Sequence, residues 1–126
     1  MISPKSLINV TGIVFLVYGL LFAVFPSHLL SFVVESAVTS TSAIIDIRAT
    51  YGGMSVAVGV ILLMLAKNNS HHKVGLQAVL ILMACMVICR SVGLYFDGNG
   101  NTIMYVYLVL EIVVAILALS LLRIKH

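Results

Sequence analysis

Four long apolar stretches separated by short polar ones set the pattern of the chain. Leu7 to Phe25 carries no charge, and Pro26 removes a backbone donor where such a segment would leave hydrocarbon, so a first spanning helix is predicted over residues 7–25. Apolar run length places three more over about 43–66, 74–95 and 103–122. Asn68-Asn69-Ser70 and Asp97-Gly98-Asn99-Gly100-Asn101 are tight polar turns that force antiparallel neighbours. Between Ser27 and Ser42 the apolar run Leu29, Leu30, Phe32, Val33 and Val34 is too short to span and closes in Thr39-Ser40-Thr41-Ser42. It predicts a short interfacial or re-entrant helix followed by a polar link. The predicted fold is all-α: an integral membrane four-helix bundle of up-down topology, one transmembrane domain over residues 1–126, with the short helix after the first span.

Composition agrees with that pattern. Of 126 residues, 62% are hydrophobic and 9% charged, and the mean hydropathy is +1.21, whereas a soluble domain is about half apolar and a quarter charged. The formal net charge of +3 is too small and too scattered for a nucleic-acid footprint. Its distribution does carry information. Lys5, Lys67, Lys73, Arg123 and Lys125 fall at the N-terminus, the second connection and the C-terminus, which in a four-span chain share one side. The positive-inside rule makes that side cytoplasmic, in a bacterial inner membrane. The opposite connections hold Glu35 and Asp97 and neither Lys nor Arg. Lys5 ahead of an apolar run looks like a signal peptide, but the run is long and no small-x-small site follows it, so it is read as a retained anchor.

Four ionisable residues remain inside the predicted spans: Asp46 and Arg48 in the second, Arg90 in the third and Glu111 in the fourth. Each costs several kcal/mol if it faces lipid. At about 1.5 Å per residue, Arg48 and Arg90 lie roughly 8 Å, and Glu111 roughly 12 Å, below the outer ends of their helices, which puts all three in one layer. Arg48, Gly52, Ser55 and Gly59 stand at i, i+4, i+7 and i+11, a stripe of small residues and one arginine that reads as a packed face, with Gly53 beside it. Tyr107, Glu111, Ala115 and Ala118 repeat the arrangement in the last span. The expected pair is Arg48 or Arg90 with Glu111, since Asp46 and Arg48 lie on opposite sides of their helix. The network reads in two ways: a neutralised polar glue between helices, or a polar outer-leaflet pocket. In the pocket, Arg48 and Arg90 are bidentate donors for a carboxylate, phosphate or carbonyl head group, with Tyr51, Tyr105 or Tyr107 at the rim.

Other residues read more plainly as structure. Cys85 and Cys89 are four apart within a span, whereas a membrane dithiol is normally C-x-x-C near an aqueous edge, so they are read as packing. His71, His72 and Lys73 form a basic loop lacking nearby Cys, Asp or Glu ligands, which suits solvent or a lipid head group better than a metal. His28 is read as an interfacial solvated histidine. Gly12 and Gly19 fit close helix approach.

The segment Asp46-Ile47-Arg48-Ala49-Thr50-Tyr51-Gly52-Gly53 resembles the acidic-x-Arg-Ala-x-Tyr-Gly-Gly signature of a family of small bacterial four-helix membrane proteins of unknown function. Arg90, Gly93, Asp97-Gly98 and Leu110-Glu111 are similar in order and spacing to that family's other marked positions, so the resemblance covers most of the chain from Pro26 onward. The resemblance implies the four-helix fold and marks Asp46, Arg48, Tyr51, Gly52, Gly53, Arg90, Asp97 and Glu111, while the cysteines lie outside the signature. In helical arrangement the family looks like the wider DoxX-like group, which includes a quinone-reducing accessory subunit, and more loosely like four-helix scaffolds of the sterol pathway. At fold level this implies quinone or sterol partners by analogy only.

Three functions follow as expectations. The first is a non-enzymatic inner-membrane protein that holds a lipid-like or quinone-like molecule against Arg48, Arg90 and Glu111, with Asp46, Tyr51, Asp97 and Tyr107 around them. It needs no cofactor beyond such a lipid or quinone and no metal. The second is a structural or accessory subunit that docks a larger membrane protein, or a second copy of itself, through residues 27–42 or an open helix face. The third is a small proton-coupled transporter that uses Glu111. On the pairing argument, Arg48→Ala leaves a buried carboxylate uncompensated and costs about 3 to 5 kcal/mol.

Overall fold

The structure is a computed structural model that describes residues 2–98 and 100–124. Every element among them is helical: α1 (Pro4–Val24), α2 (Pro26–Val34), α3 (Thr41–Ile47), a π-helix (Arg48–Met54), α4 (Ser55–Lys67), a 3₁₀ turn (Asn69–His71), α5 (His72–Phe96) and α6 (Thr102–Ile124). Four helical stretches are long and apolar enough to cross a membrane: Pro4–Val24, Thr41–Lys67, Asn69–Phe96 and Thr102–Ile124. The all-helical class with four spanning-length helices is therefore as the apolar pattern requires. The helices also start ahead of the apolar stretches that announced them, and the last three run past their ends, because polar residues there still complete backbone hydrogen bonds, whereas the first stops at Val24, one residue short.

Local chemistry sets the boundaries. The Ser3 hydroxyl accepts from the Ser6 N–H at 3.1 Å, and Pro4 at the first helical position gives up a donor that would be orphaned anyway. α1 ends just ahead of Pro26, which opens α2; Phe25 between them departs from helical backbone at φ −122°, ψ 53°. α2 stops at Glu35 in the left-handed region (φ 55°), the one non-glycine residue with positive φ among the described residues. Ser40 caps α3, and the chain then continues through the π-helix into α4 without a break. Asn68 caps the 3₁₀ turn by accepting from the Ser70 N–H at 3.1 Å, Gly98 (φ 111°) turns the chain after α5, and the Asn101 carboxamide accepts from the Met104 N–H at 3.2 Å to start α6.

The chain divides into two compact units, and the division falls within α1 and α4. In the unit of residues 9–64, α1 runs antiparallel to the π-helix and α4. A Cβ built at Gly19 would lie 2.5 Å from the Val56 nitrogen, one at Gly52 2.8 Å from the Ala23 nitrogen, and one at Gly59 2.6 Å from the Leu16 nitrogen. Backbone meets backbone there, which only glycine permits. Phe22 and Leu62 are buried. The other unit comprises residues 2–8 and 65–124. In it α5 and α6 form an antiparallel hairpin joined by a short loop, and Gly75 sits against Ile8, whose Cδ1 would be 2.7 Å from an added Cβ. Leu7 and Ile8 of α1, Ala66 of α4, Leu76, Val79 and Met83 of α5, and Glu111 and Ala118 of α6 are buried in it.

Candidate functional site

In the α5–α6 hairpin one ionised pair dominates. Arg90 Nη2 donates to Glu111 Oε1 at 2.6 Å, and Arg90 Nε donates to Oε2 at 3.0 Å and to Oε1 at 3.2 Å. This is the planar fork-on-carboxylate geometry that suits arginine and that lysine cannot reproduce. Glu111 retains 6% exposure. The guanidinium carbon stands 5.3 Å from the centre of the Tyr107 ring, and Nη1 lies 3.4 Å from the Met104 sulfur. Two turns of α6 thus surround the arginine with a thioether, an aromatic face and a carboxylate. Two charges that would each be costly in hydrocarbon are held as a neutral, hydrogen-bonded unit.

Arg48 does something else. Its Nη1 donates to the backbone carbonyl of Ala23 in the last turn of α1. A helix that stops at Val24 leaves its final carbonyls without N–H partners, and the macrodipole concentrates negative partial charge there. Arg48 supplies both a donor and a positive charge, so it caps α1. The expectation that Arg48 or Arg90 pairs with Glu111 therefore resolves to Arg90. The arginines belong to different compact units. Arg48 remains exposed and uses one N–H on Ala23.

The segment that carries Arg48 is not α-helical. Arg48–Met54, with sequence Arg-Ala-Thr-Tyr-Gly-Gly-Met, is a π-helix, a form that is rare and often found at functional sites. Thr50 Oγ1 donates to the Asp46 carbonyl at 2.8 Å where this segment begins. The wider turn shifts the stripe read at α-helical spacing. Gly52 and Gly59 are buried against α1, Ser55 is half-buried, and Arg48 reaches the end of α1 while staying exposed. Gly53 takes no part in helix packing: a Cβ there would meet nothing within 4 Å, because the second of two adjacent helical residues points about a quarter-turn away from the first. Tyr51 stacks on Phe22 with ring centres 5.3 Å apart.

Of the remaining expected residues, Asp46 is exposed, and Asp97 closes α5 through its N–H to the Gly93 carbonyl while its side chain is exposed. Tyr105 is exposed. Cys85 and Cys89 are free thiols. Met104, Phe22 and Ala23 contribute contacts that sequence reasoning missed. Met104 reads as apolar filler and Ala23 acts through its backbone, so neither left a signal in side-chain type.

The helices and these two arginine sites together define a small, all-helical protein with membrane-spanning character and ionised groups placed along its apolar helices. The chain belongs to a family described as a domain of unknown function, DUF4345, whose model matches residues 4–122. No curated protein and no solved structure matches it.

Proposed function

We propose that the protein is a non-enzymatic multi-pass membrane protein of a bacterial inner membrane, with both termini cytoplasmic, that holds a lipid-like or quinone-like amphipathic molecule with its polar head at Arg48. The single observation that carries this reading is an exposed arginine fixed in place by a backbone carbonyl, in a π-helical segment of a spanning helix. The Thr41–Lys67 stretch has 27 residues, about 40 Å of helix at 1.5 Å per residue, whereas hydrocarbon is about 30 Å thick. The surplus of about 10 Å places Arg48, seven residues in from Thr41, near the hydrocarbon boundary, where a phosphate or carbonyl head group sits. Capping Ala23 pre-orders the guanidinium, so less side-chain entropy is lost on binding. Tyr51, three residues further along the same segment and stacked on Phe22, adds an aromatic ring with a polar tip. The self-neutralised Arg90–Glu111 pair is assigned to locking the α5–α6 hairpin.

Native mass spectrometry of protein released from mild detergent tests this, with wild type beside Arg48→Gln. A single adduct species lost in Arg48→Gln, while the variant still folds, identifies the ligand by mass. Bare protein throughout, or an adduct indifferent to Arg48, overturns the reading. A second reading, an accessory subunit of a larger membrane complex, draws on α2, where Phe32 is 71% exposed beside the buried Leu30 and Val33. It predicts that cross-linking through Phe32→Cys captures one dominant membrane protein.

A further inference from the structure

At the far end of the chain's charge distribution, the unit of residues 2–8 and 65–124 carries an open groove of about 540 Å³ lined by Ser3, Pro4, Lys5, Asn69, Ser70, His72 and Lys73. We infer that this groove binds the phosphate head group of an anionic membrane lipid, independently of the Arg48 site. Among the described residues, two lysines line it and no carboxylate does. Lys5 lies in the first turn of α1 and Lys73 in the first turn of α5, and neither turn holds an acidic residue. A helix start favours negative charge, so a lysine in each adds cationic charge where the backbone dipole is already positive. That positive charge suits a dianionic or monoanionic phosphate. Hydroxyls and amides frame the same space. Ser3 and Asn68 are engaged in capping, and His72 Nε2 lies 3.0 Å from the Ala66 carbonyl, which ties the start of α5 to the end of α4 and fixes the groove's wall.

A lipid is favoured over a soluble phosphate by position. The groove opens where α1 and α5, both of spanning length, begin, so a phosphodiester in it leaves its acyl chains alongside apolar helix. Basic side chains next to a span each contribute about 1 kcal/mol towards anionic lipid, so two correspond to a preference of roughly ten- to thirtyfold.

The test uses full-length protein reconstituted with equal amounts of phosphatidylglycerol and phosphatidylcholine of the same acyl chains, with retained lipid counted by native mass spectrometry. Wild type should keep phosphatidylglycerol in roughly tenfold or greater excess. The Lys5→Gln/Lys73→Gln double variant should fall towards parity, and each single variant part of the way, which keeps the test readable should the double variant not fold. A control pair, Lys67→Gln/Arg123→Gln, removes equal charge outside the groove and should retain the preference. Parity in wild type, a preference that survives loss of both groove lysines, or equal loss in the control pair overturns the inference. Inorganic phosphate that binds with the same lysine dependence while the lipids stay at parity assigns the groove to a soluble anion and also overturns it.

Discussion

Two arginines in spanning helices meet the cost of their charge by different routes. Arg90 is matched by a carboxylate, with Nη2 at 2.6 Å from Glu111, and truncating either partner strands the other in low dielectric. Glu111→Ala is therefore expected to lower stability by about 3 kcal/mol, the lower end for a buried pair because Arg90 keeps some solvent access, read by thermal unfolding in mild detergent. Arg48 is matched by a carbonyl, and its removal leaves no buried carboxylate. Arg48→Ala should thus cost about 1.5 to 3 kcal/mol in the same measurement, the range of a charge-assisted hydrogen bond, in place of the 3 to 5 kcal/mol argued from a buried pair. The charges themselves were legible because hydrocarbon makes any ionised residue expensive. Arg48's partner was not, because an orphaned carbonyl belongs to every residue type alike.

At the scale of elements, glycine sets how closely α1 approaches the π-helix and α4. A methyl at Gly19 or Gly59 would stand 2.5 to 2.6 Å from backbone nitrogen of the facing helix, and backbone cannot rotate out of the way. Gly19→Ala and Gly59→Ala should each lower stability by about 1 to 3 kcal/mol, whereas Gly53→Ala, with open space around it, should leave the melting temperature unchanged or raise it through helix propensity. Melting curves of the three variants side by side check this. The close-packed stripe of small residues was readable from spacing. The π-helix was not, because its extra residue per turn is a property of backbone hydrogen bonding that no side-chain type announces.

For the whole molecule, four spanning-length helices and an uneven charge distribution lead to the proposed topology. Cytoplasmic termini predict that, in a background lacking Cys85 and Cys89, a cysteine at Asp97 reacts with a membrane-impermeant maleimide in intact cells. A cysteine at Ser70 should react only after the membrane is opened. Labelling in the reverse sense would invert the orientation and put the Lys5–Lys73 groove on the outer face.

The sequence by itself determined the helical class, the number of spans and the residues at which charge had to be answered. Those follow from one-dimensional quantities: apolar run length against bilayer thickness, turn chemistry, and the price of burying an ion. Only the tertiary structure decided which groups answer. It matched Glu111 to Arg90, gave Arg48 the end of α1, buried Gly52 while leaving Gly53 open, and drew Lys5 and Lys73 into one groove. Each outcome depends on which backbone atoms lie across a helix interface, and on the local width of the helical turn, neither of which is written in the order of side chains.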